Sequence, residues 1–343
     1  MKKLKSVIRA QQFDETTIKE VFAIADTMRA GHFDSEALRG KIMVALFYEP
    51  STRTRLSFET AMLRLGGRVI GTENAREFSS AAKGEKLEDT IKVISGYGPD
   101  VIVLRYHEEG GAERAQHSSP VPIINAGDGT GQHPTQALLD LFTIRQEFGR
   151  IDNLDIALVG DLSNGRTVRS LCYFLAKHYP NNRVHLVSPE QTKMRDDVKA
   201  YLDKYDVRYS EANELDSVLP VADVIYQTRV QKERFKDNPT LYQDVVRASE
   251  KLIITPSALK QMKQQAIIMH PLPRVKEIDH AVDDDPRAAY FRQAQNGLYV
   301  RMALLKMVIN GYQNGSTTAR LVTTKTKTAR ASGHRIAAVE NVH

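Results

Sequence analysis

A run of hydroxyl and guanidinium side chains near residue 50 has the residue types that bind phosphate groups. The run directly follows an apolar segment at residues 42–47, and its sequence is Ser51-Thr52-Arg53-Thr54-Arg55. The apolar segment predicts a buried strand, and apolar residues from Leu56 to Leu65 recur at helical spacing. The first turn of a helix presents unpaired backbone N–H groups and the positive end of the helix dipole. This strand-to-helix turn therefore predicts a site for an anion.

The alternative for this turn is an ordinary capped helix with arginines on the surface. Arg53 and Arg55 are close in sequence, and two guanidinium groups repel each other unless an anion lies between them. This repulsion favours the anion site, and we expect both arginines to face one bound phosphate group.

The elements that position this turn alternate between strand and helix, which predicts parallel sheets covered by helices. Strands are predicted at residues 42–47, 68–71, 100–104, 121–125, 154–159, 184–187, 222–226 and 266–269. Helices are predicted at residues 16–28, 51–65, 86–97, 134–148, 167–177 and 285–309, with loops at 76–85 and 126–131. Ligands bind beyond the carboxyl ends of such strands. Ser51, Arg105 and His133 follow strands, so we expect them to meet at one edge.

Two alternating sets predict an α/β fold with two domains, each a parallel sheet covered by helices, and an active site in the cleft between them. The first domain takes residues 1–148 and is completed by the terminal helix at residues 285–312. The second domain takes residues 149–284. Residues 313–343 form a basic tail that is expected to be mobile.

The composition narrows the class of protein. The net charge is +6, but residues 316–343 carry five basic side chains against one acidic side chain, so the body is closer to neutral. This balance argues against a nucleic-acid-binding body. The single cysteine, Cys172, excludes an internal disulfide and a cysteine-based metal cluster, and no histidine spacing indicates a metal site. Without a membrane-spanning run or a signal peptide, we expect a cytoplasmic protein.

Six segments spread over most of the chain carry a specific resemblance. They are Ser51-Thr52-Arg53-Thr54-Arg55, His133-Pro134-Thr135-Gln136, Gly160-Asp161-Leu162, Gly165-Arg166-Thr167-Val168, Thr228-Arg229-Val230-Gln231-Lys232-Glu233-Arg234 and His270-Pro271-Leu272-Pro273. Together they resemble the aspartate/ornithine carbamoyltransferase family. The third, fourth and fifth segments point to the aspartate-specific members. Ornithine-specific members have a cysteine in place of Pro271 and a Ser-Met-Gly loop, and this chain has neither. The basic tail departs from the family pattern.

The resemblance implies transfer of the carbamoyl group of carbamoyl phosphate to the amine of L-aspartate. The products are N-carbamoyl-L-aspartate and phosphate, and the reaction belongs to de novo pyrimidine biosynthesis, with no cofactor and no metal. The resemblance also implies a homotrimer with shared active sites, in which Ser79 and Lys83 reach into the neighbouring subunit's site. Without it, the segment around Lys83 would be interpreted as a mobile surface loop.

The resemblance also assigns residues to each substrate. The residues expected to bind carbamoyl phosphate are Ser51, Thr52, Arg53, Thr54, Arg105, His133, Gln136, Leu272 and Pro273. Those expected to bind aspartate are Lys83, Arg166, Arg229 and Gln231. Those expected to act in catalysis are Arg53, Thr54, Lys83, Arg105 and His133. His133 needs only to donate a hydrogen bond to the carbonyl oxygen, so it can act as a neutral ring.

Aspartate has two carboxylates and needs two separate cations. Arg166 would bind the α-carboxylate, and Arg229 with Gln231 would bind the β-carboxylate. By composition alone, Arg229 could equally lie in a solvated loop. Glu49 and Arg234 are candidates for an ion pair between the domains that holds a closed state.

Three alternatives remain open at this point. One is a related carbamoyltransferase with another amine acceptor, such as ornithine. The second is a nucleotide-binding regulator, because Gly160 and Gly165 follow a strand, although their spacing differs from the dinucleotide pattern. The third is a protein that binds nucleic acid or acidic partners through its basic tail. The sequence also leaves open a separate regulatory chain.

Overall fold

The computed structural model describes residues 4–78 and 80–310 of the chain. Its first sheet is built from β1 (Ile42–Phe47), β2 (Arg68–Thr72), β3 (Val101–Tyr106) and β4 (Ile123–Asp128). The strand order is β2-β1-β3-β4, and neighbouring strands are parallel. The central strands β1 and β3 are apolar and buried along nearly their whole length, which is why continuous apolar runs in the sequence predicted them.

The second sheet is also parallel. It is built from β5 (Asp155–Val159), β6 (Arg183–Val187), β7 (Arg208–Ala212), β8 (Val224–Gln227) and β9 (Ile267–Met269). The strand order is β7-β6-β5-β8-β9. Two parallel sheets flanked by helices confirm the predicted fold class.

The helices pack around these sheets. They are α1 (Glu15–Arg29), α2 (Thr52–Arg64), α3 (Ala75–Phe78), α4 (Leu87–Gly96), α5 (Gly111–Ser118), α6 (Pro134–Phe148), α7 (Arg166–His178), α8 (Asp196–Lys204), α9 (Pro239–Ser249), α10 (Pro256–Leu259) and α11 (Tyr290–Ile309). Helix α11 packs against α1, α2 and α6, and α6 also packs against α7. Helix α6 thus lies at the centre of the described body, and every residue from Pro134 to Ile144 is buried. Among the described residues, no helix is long and apolar enough to cross a membrane.

The structure differs from the sequence predictions in several places. The segment predicted as a loop at residues 76–85 contains α3 and a 3-10 turn at Ser80–Lys83. The predicted flexible loop at residues 126–131 is held by Asp128, whose carboxylate accepts hydrogen bonds from Gln132 N (2.7 Å) and Gly110 N (3.0 Å). Helix α11 begins at Tyr290 rather than at residue 285. Ser79 and the basic tail at residues 313–343 lie outside the described residues.

Candidate active site

A cavity of about 650 Å³ lies at the carboxyl ends of the strands. The strand order reverses between β1 and β3 in the first sheet and between β5 and β8 in the second, because the chain builds one side of β1 or β5 first and then crosses to the other side. Such reversal points are where parallel sheets bind ligands. The lining includes Glu49–Thr54, Arg105, His133, Gln136, Gly165–Thr167, Thr228, Arg229, Gln231, Arg234 and His270–Pro273. The structure therefore brings Ser51, Arg105 and His133 together, as predicted.

The start of α2 lines the cavity with the features of an anion site. Ser51 is the N-cap residue, but its side chain makes no capping hydrogen bond. The first backbone bond of the helix runs from Arg55 N to Ser51 O at 3.0 Å. The N–H groups of Thr52, Arg53 and Thr54 therefore have no partner within the helix. These groups and the free Ser51 hydroxyl can bind phosphate oxygens.

Arg53 and Arg55 have different environments. The Arg53 guanidinium lines the cavity and makes no hydrogen bond or ion pair to any residue that the structure describes, and burial together with the charge of Arg229 lowers its pKa. Arg55 instead binds Glu59 (Nε to Oε1, 3.0 Å) and Glu73 (Nη1 to Oε2, 2.6 Å). The expectation that Arg55 faces the same anion is therefore wrong, because these two carboxylates neutralise its charge outside the cavity.

Glu49 joins three arginines from different elements. Its carboxylate lies 3.6 Å from Arg105 Nη2, 3.4 Å from Arg166 Nη1 and 3.5 Å from Arg234 Nη2. The predicted contact between Glu49 and Arg234 is present. Burial lowers the pKa of Arg105 and of Arg166, and one carboxylate cannot neutralise three guanidinium groups. The cavity therefore keeps a positive field that favours anionic ligands.

His133 is a buried histidine that lines the cavity. It is the residue before α6, it is 3% exposed, and its backbone N donates to Ser170 Oγ at 2.9 Å. Burial lowers the pKa of His133 well below its ordinary value, and nearby arginines lower it further. The Thr135 hydroxyl lies 3.4 Å from His133 Nδ1, and when this hydroxyl donates, the ring proton is on Nε2.

The loops after β5 and β8 bring Arg166, Arg229 and Gln231 to the other side of the cavity. Gly160 has a φ of +113°, and a Cβ there would lie 2.3 Å from Thr228 O, so only glycine permits this approach of the two loops. Arg229 forms a two-point ion pair with Glu233, one contact being 3.1 Å from Nη1 to Oε2. Gln231 Nε2 donates to Asn164 O at 2.9 Å. Arg229 is thus held by a carboxylate rather than free in a solvated loop.

His270 holds the loop after β9 in place. Its Nδ1 accepts a hydrogen bond from Leu272 N (2.7 Å), so its Nε2 donates to Glu277 Oε1 (2.8 Å). Leu272 has a φ of +53°, which a leucine seldom adopts, and this hydrogen bond supports that conformation. Leu272 and Pro273 line the cavity, where their backbone groups can contact a ligand.

Sequence reasoning missed several residues that line the cavity. One residue that it assigned to an active site does not line the cavity of its own chain. Ser57, Gln293 and Arg301 also line the cavity. Arg301 is 4% exposed and donates to Ser57 Oγ at 2.7 Å, and burial lowers its pKa to about 10. A charged residue on the apolar stretch of α11 was the available signal for it. Lys83 is exposed and does not line the cavity of its own chain.

Comparisons with known proteins match both halves of the chain. Residues 5–146 match the family described as "Aspartate/ornithine carbamoyltransferase, carbamoyl-P binding domain". Residues 152–308 match "Aspartate/ornithine carbamoyltransferase, Asp/Orn binding domain". Chloroplastic aspartate carbamoyltransferase 1 of Pisum sativum is 55% identical over 312 residues, which is 90% of this chain and 80% of the relative.

Two further relatives extend this comparison to bacteria and to a solved structure. The aspartate carbamoyltransferase catalytic subunit of Clostridium novyi is 47% identical over 306 residues, covering 89% of this chain and 98% of the relative. Aspartate transcarbamoylase from Trypanosoma cruzi, solved in complex with carbamoyl phosphate and aspartate, is 40% identical with a TM-score of 0.83. That match covers 90% of this chain and 97% of the solved chain.

Proposed function

Because the chain belongs to the aspartate/ornithine carbamoyltransferase family, we propose that its cavity binds carbamoyl phosphate beside α2 and L-aspartate beside α7 and β8. The reaction is carbamoyl transfer from carbamoyl phosphate to the amine of L-aspartate, which gives N-carbamoyl-L-aspartate and phosphate. Relatives named aspartate carbamoyltransferase confirm this predicted activity. Its place in de novo pyrimidine biosynthesis is part of the proposal.

The observation that carries the residue assignment is the unpaired Arg53 guanidinium beside the free N–H groups of α2. Arg53, Ser51, Thr52 and Thr54 would hold the phosphate group by charge and by hydrogen bonds. The same contacts stabilise the phosphate as it leaves with the electron pair of the broken bond. With the phosphate group bound here, the carbamoyl carbon would face the arginines that follow strands of the second sheet.

Arg105, Thr54 and His133 would stabilise the carbonyl oxygen of the carbamoyl group. The neutral amine of aspartate attacks the carbonyl carbon, this oxygen then gains negative charge, and the departing phosphate can accept the proton that the amine loses. A guanidinium, a hydroxyl and a neutral imidazole N–H can all donate to it. Gln136 would orient the carbamoyl NH2, and Leu272 and Pro273 would contact it through backbone groups. No protein nucleophile is needed, so the rate comes from orientation and electrostatic stabilisation.

Arg166 and Arg229 would bind the two carboxylates of aspartate, with Gln231 beside Arg229. Glu233 neutralises much of the charge of Arg229, and it also fixes the direction of the guanidinium fork. An aspartate carboxylate would bind the remaining N–H groups of that fork. Lys83 of a neighbouring subunit would add a further cation.

The first test separates the two substrates. Arg229→Ala should raise the KM for aspartate by roughly 100-fold, because a charge-assisted, two-point contact is lost. Carbamoyl phosphate affinity should stay nearly unchanged, as measured by calorimetric titration of each variant. Lys232→Ala is the matched control, because Lys232 is exposed and does not line the cavity. Loss of affinity for both substrates would show that Arg229 supports the fold instead.

Shared active sites in a homotrimer are supported by two features. Lys83 is exposed and lies outside its own cavity, so it is available to another subunit. Of the nine large apolar side chains that are exposed among the described residues, five lie between residues 56 and 97, and these are Leu56 and Leu63 on α2, Ile70 on β2, Val93 on α4 and Tyr97 directly after it. Exposed apolar side chains of this size are typical of a subunit interface.

The remaining assignments are also proposals. Residues 1–148 with the terminal helix would form the carbamoyl phosphate domain, and residues 149–284 the aspartate domain. A separate regulatory chain could bind the trimer through surfaces outside the cavity. The cytoplasmic location expected from the sequence is also a proposal, because the plant relatives are named chloroplastic.

A further inference from the structure

Asp140 is a buried carboxylate that the reaction as described does not use. It lies on α6 one turn after Gln136, and it is 0% exposed. No ion pair joins it to any cation among the described residues. Burial raises its pKa to about 7, and hydrogen-bond donors and the charge of Arg301 oppose that rise. Burying a carboxylate without a cation beside it costs free energy, so hydrogen bonds from neighbouring side chains must offset that cost.

Three side chains donate hydrogen bonds to Asp140. Gln136 Nε2 lies 2.9 Å and Gln293 Nε2 lies 2.7 Å from Oδ1, and Tyr226 OH lies 2.8 Å from Oδ2. We call Asp140 and these three residues the Asp140 cluster. Its members come from α6, α11 and β8, so the cluster joins a strand of the second sheet to two helices that contact strands of the first sheet.

The orientation of Gln293 is fixed by a group outside the cluster. Its Oε1 lies 2.8 Å from the backbone N of His270, and a backbone N–H can only donate. The carbonyl oxygen of Gln293 must therefore face His270, and its NH2 group must face Asp140. Asp140 Oδ1 therefore accepts the hydrogen bond from Gln293.

The same oxygen then fixes Gln136. Because Oδ1 accepts, the NH2 group of Gln136 must face Asp140, and this leaves the carbonyl oxygen of Gln136 free to face the cavity that this residue lines. A carbonyl oxygen in that place can accept a hydrogen bond from an NH2 group of a ligand. In the opposite orientation, the NH2 group of Gln136 would face the NH2 group of the ligand, and no hydrogen bond could form between these two donors.

We propose that Asp140 is a positioning residue for the carbamoyl group. It holds the carbonyl oxygen of Gln136 towards the cavity, where this oxygen accepts a hydrogen bond from the carbamoyl NH2. Through Gln293 it also holds the backbone of His270, and with it the loop that carries Leu272 and Pro273. The inference rests on the proposed role of Gln136 in carbamoyl phosphate binding.

The test compares two ligands that differ in the carbamoyl NH2. Asp140→Leu keeps the side-chain shape but cannot accept, so Gln136 is free to turn. We expect its affinity for carbamoyl phosphate to fall roughly 10- to 100-fold, while its affinity for inorganic phosphate stays within about twofold. Asp140→Asn should stay near wild type for both ligands, because its amide oxygen can replace Oδ1 and its NH2 can donate to the Tyr226 hydroxyl. Calorimetric titration at about pH 8 keeps Asp140 ionised.

Thr143→Val is the matched control for a purely structural role. Thr143 is also buried on α6 and also contacts α11, through Asn296 Nδ2 at 3.1 Å, but it does not line the cavity. It should lower the melting temperature without changing either affinity. Equal losses for both ligands in Asp140→Leu, or the same pattern in Thr143→Val, would overturn the proposal.

A double-variant cycle separates this inference from the proposed function. If Asp140 acts mainly through Gln136, Asp140→Leu should cost much less carbamoyl phosphate affinity in a Gln136→Leu background than in the wild-type background, and any remaining loss measures the route through Gln293 and His270. A Gln136→Leu variant with wild-type affinity would overturn the role of Gln136 itself. A weak Gln136→Leu variant beside a normal Asp140→Leu variant would overturn only the role of Asp140. If Asp140→Leu does not fold, Asp140→Ala replaces it, because an entering water both donates and accepts and so selects no orientation.

Discussion

Arg53→Ala is expected to lower kcat/KM by roughly 1,000-fold or more while the protein stays folded. The guanidinium lines the cavity and is paired with no described residue, so its removal costs the fold little. Its loss leaves the phosphate charge without its nearest unpaired cation, both on binding and as the phosphate leaves. Steady-state kinetics, carbamoyl phosphate titration and thermal unfolding of the same preparation measure these effects.

Arg55→Ala is the matched control for this experiment. Arg55 lies on the same turn but binds Glu59 and Glu73 outside the cavity. Its removal should cost less than about 1 kcal/mol in the free energy of unfolding and leave carbamoyl phosphate affinity close to wild type. An Arg53→Ala variant with normal turnover, or an Arg55→Ala variant with the same loss as Arg53→Ala, would contradict the assignment of the phosphate to the start of α2.

The second large effect is expected from mixing two inactive variants. If Lys83 acts in the neighbouring subunit's site and Arg53 in its own, trimers of Arg53→Ala and trimers of Lys83→Ala are each nearly inactive. Every mixed trimer contains one interface where an intact Arg53 meets an intact Lys83. After dissociation and random reassociation of equal amounts, about three-quarters of the trimers are mixed and each has one good site in three. Activity should recover to about a quarter of wild type.

The physical basis is that Lys83 is exposed and does not line its own cavity. Native mass spectrometry of the mixture shows whether hybrid trimers have formed. Hybrids that form but stay inactive would remove Lys83 from the shared site. A protein that remains monomeric under assay conditions, yet is fully active, would remove the shared site altogether.

The parts of the fold that could be predicted are those fixed by local patterns. The strand Ile42–Phe47 is a continuous apolar run, and α6 has proline at its first turn and Gly149 after its end, so both were predicted with nearly correct bounds. The strand Arg208–Ala212 was missed because it is a polar edge strand, exposed along much of its length. The segment at residues 76–85 was predicted as a loop because its helical turns are too short to show a period.

The residues of the candidate site also divide into those that local motifs predicted and those whose contacts depend on the tertiary structure. Motifs placed Ser51, Arg105 and His133 at strand ends, and parallel-sheet topology then brought them together. The Asp140 cluster could not be predicted, because Asp140 meets Tyr226 across 86 residues and Gln293 across 153 residues of sequence. The partners of Arg55 also depend on tertiary contact with Glu73, so charge repulsion along the sequence alone led to the wrong expectation.

Carbamoyl transfer by the purified chain, with aspartate or ornithine as the acceptor, tests the central claim most directly. Arg166 and Arg229 can each bind one carboxylate of aspartate, whereas the side-chain ammonium of ornithine would be repelled by them. We expect N-carbamoyl-L-aspartate to form with a kcat/KM at least about 1,000-fold above that for ornithine. Comparable transfer to ornithine, or no transfer to aspartate by a correctly folded protein, would contradict the account.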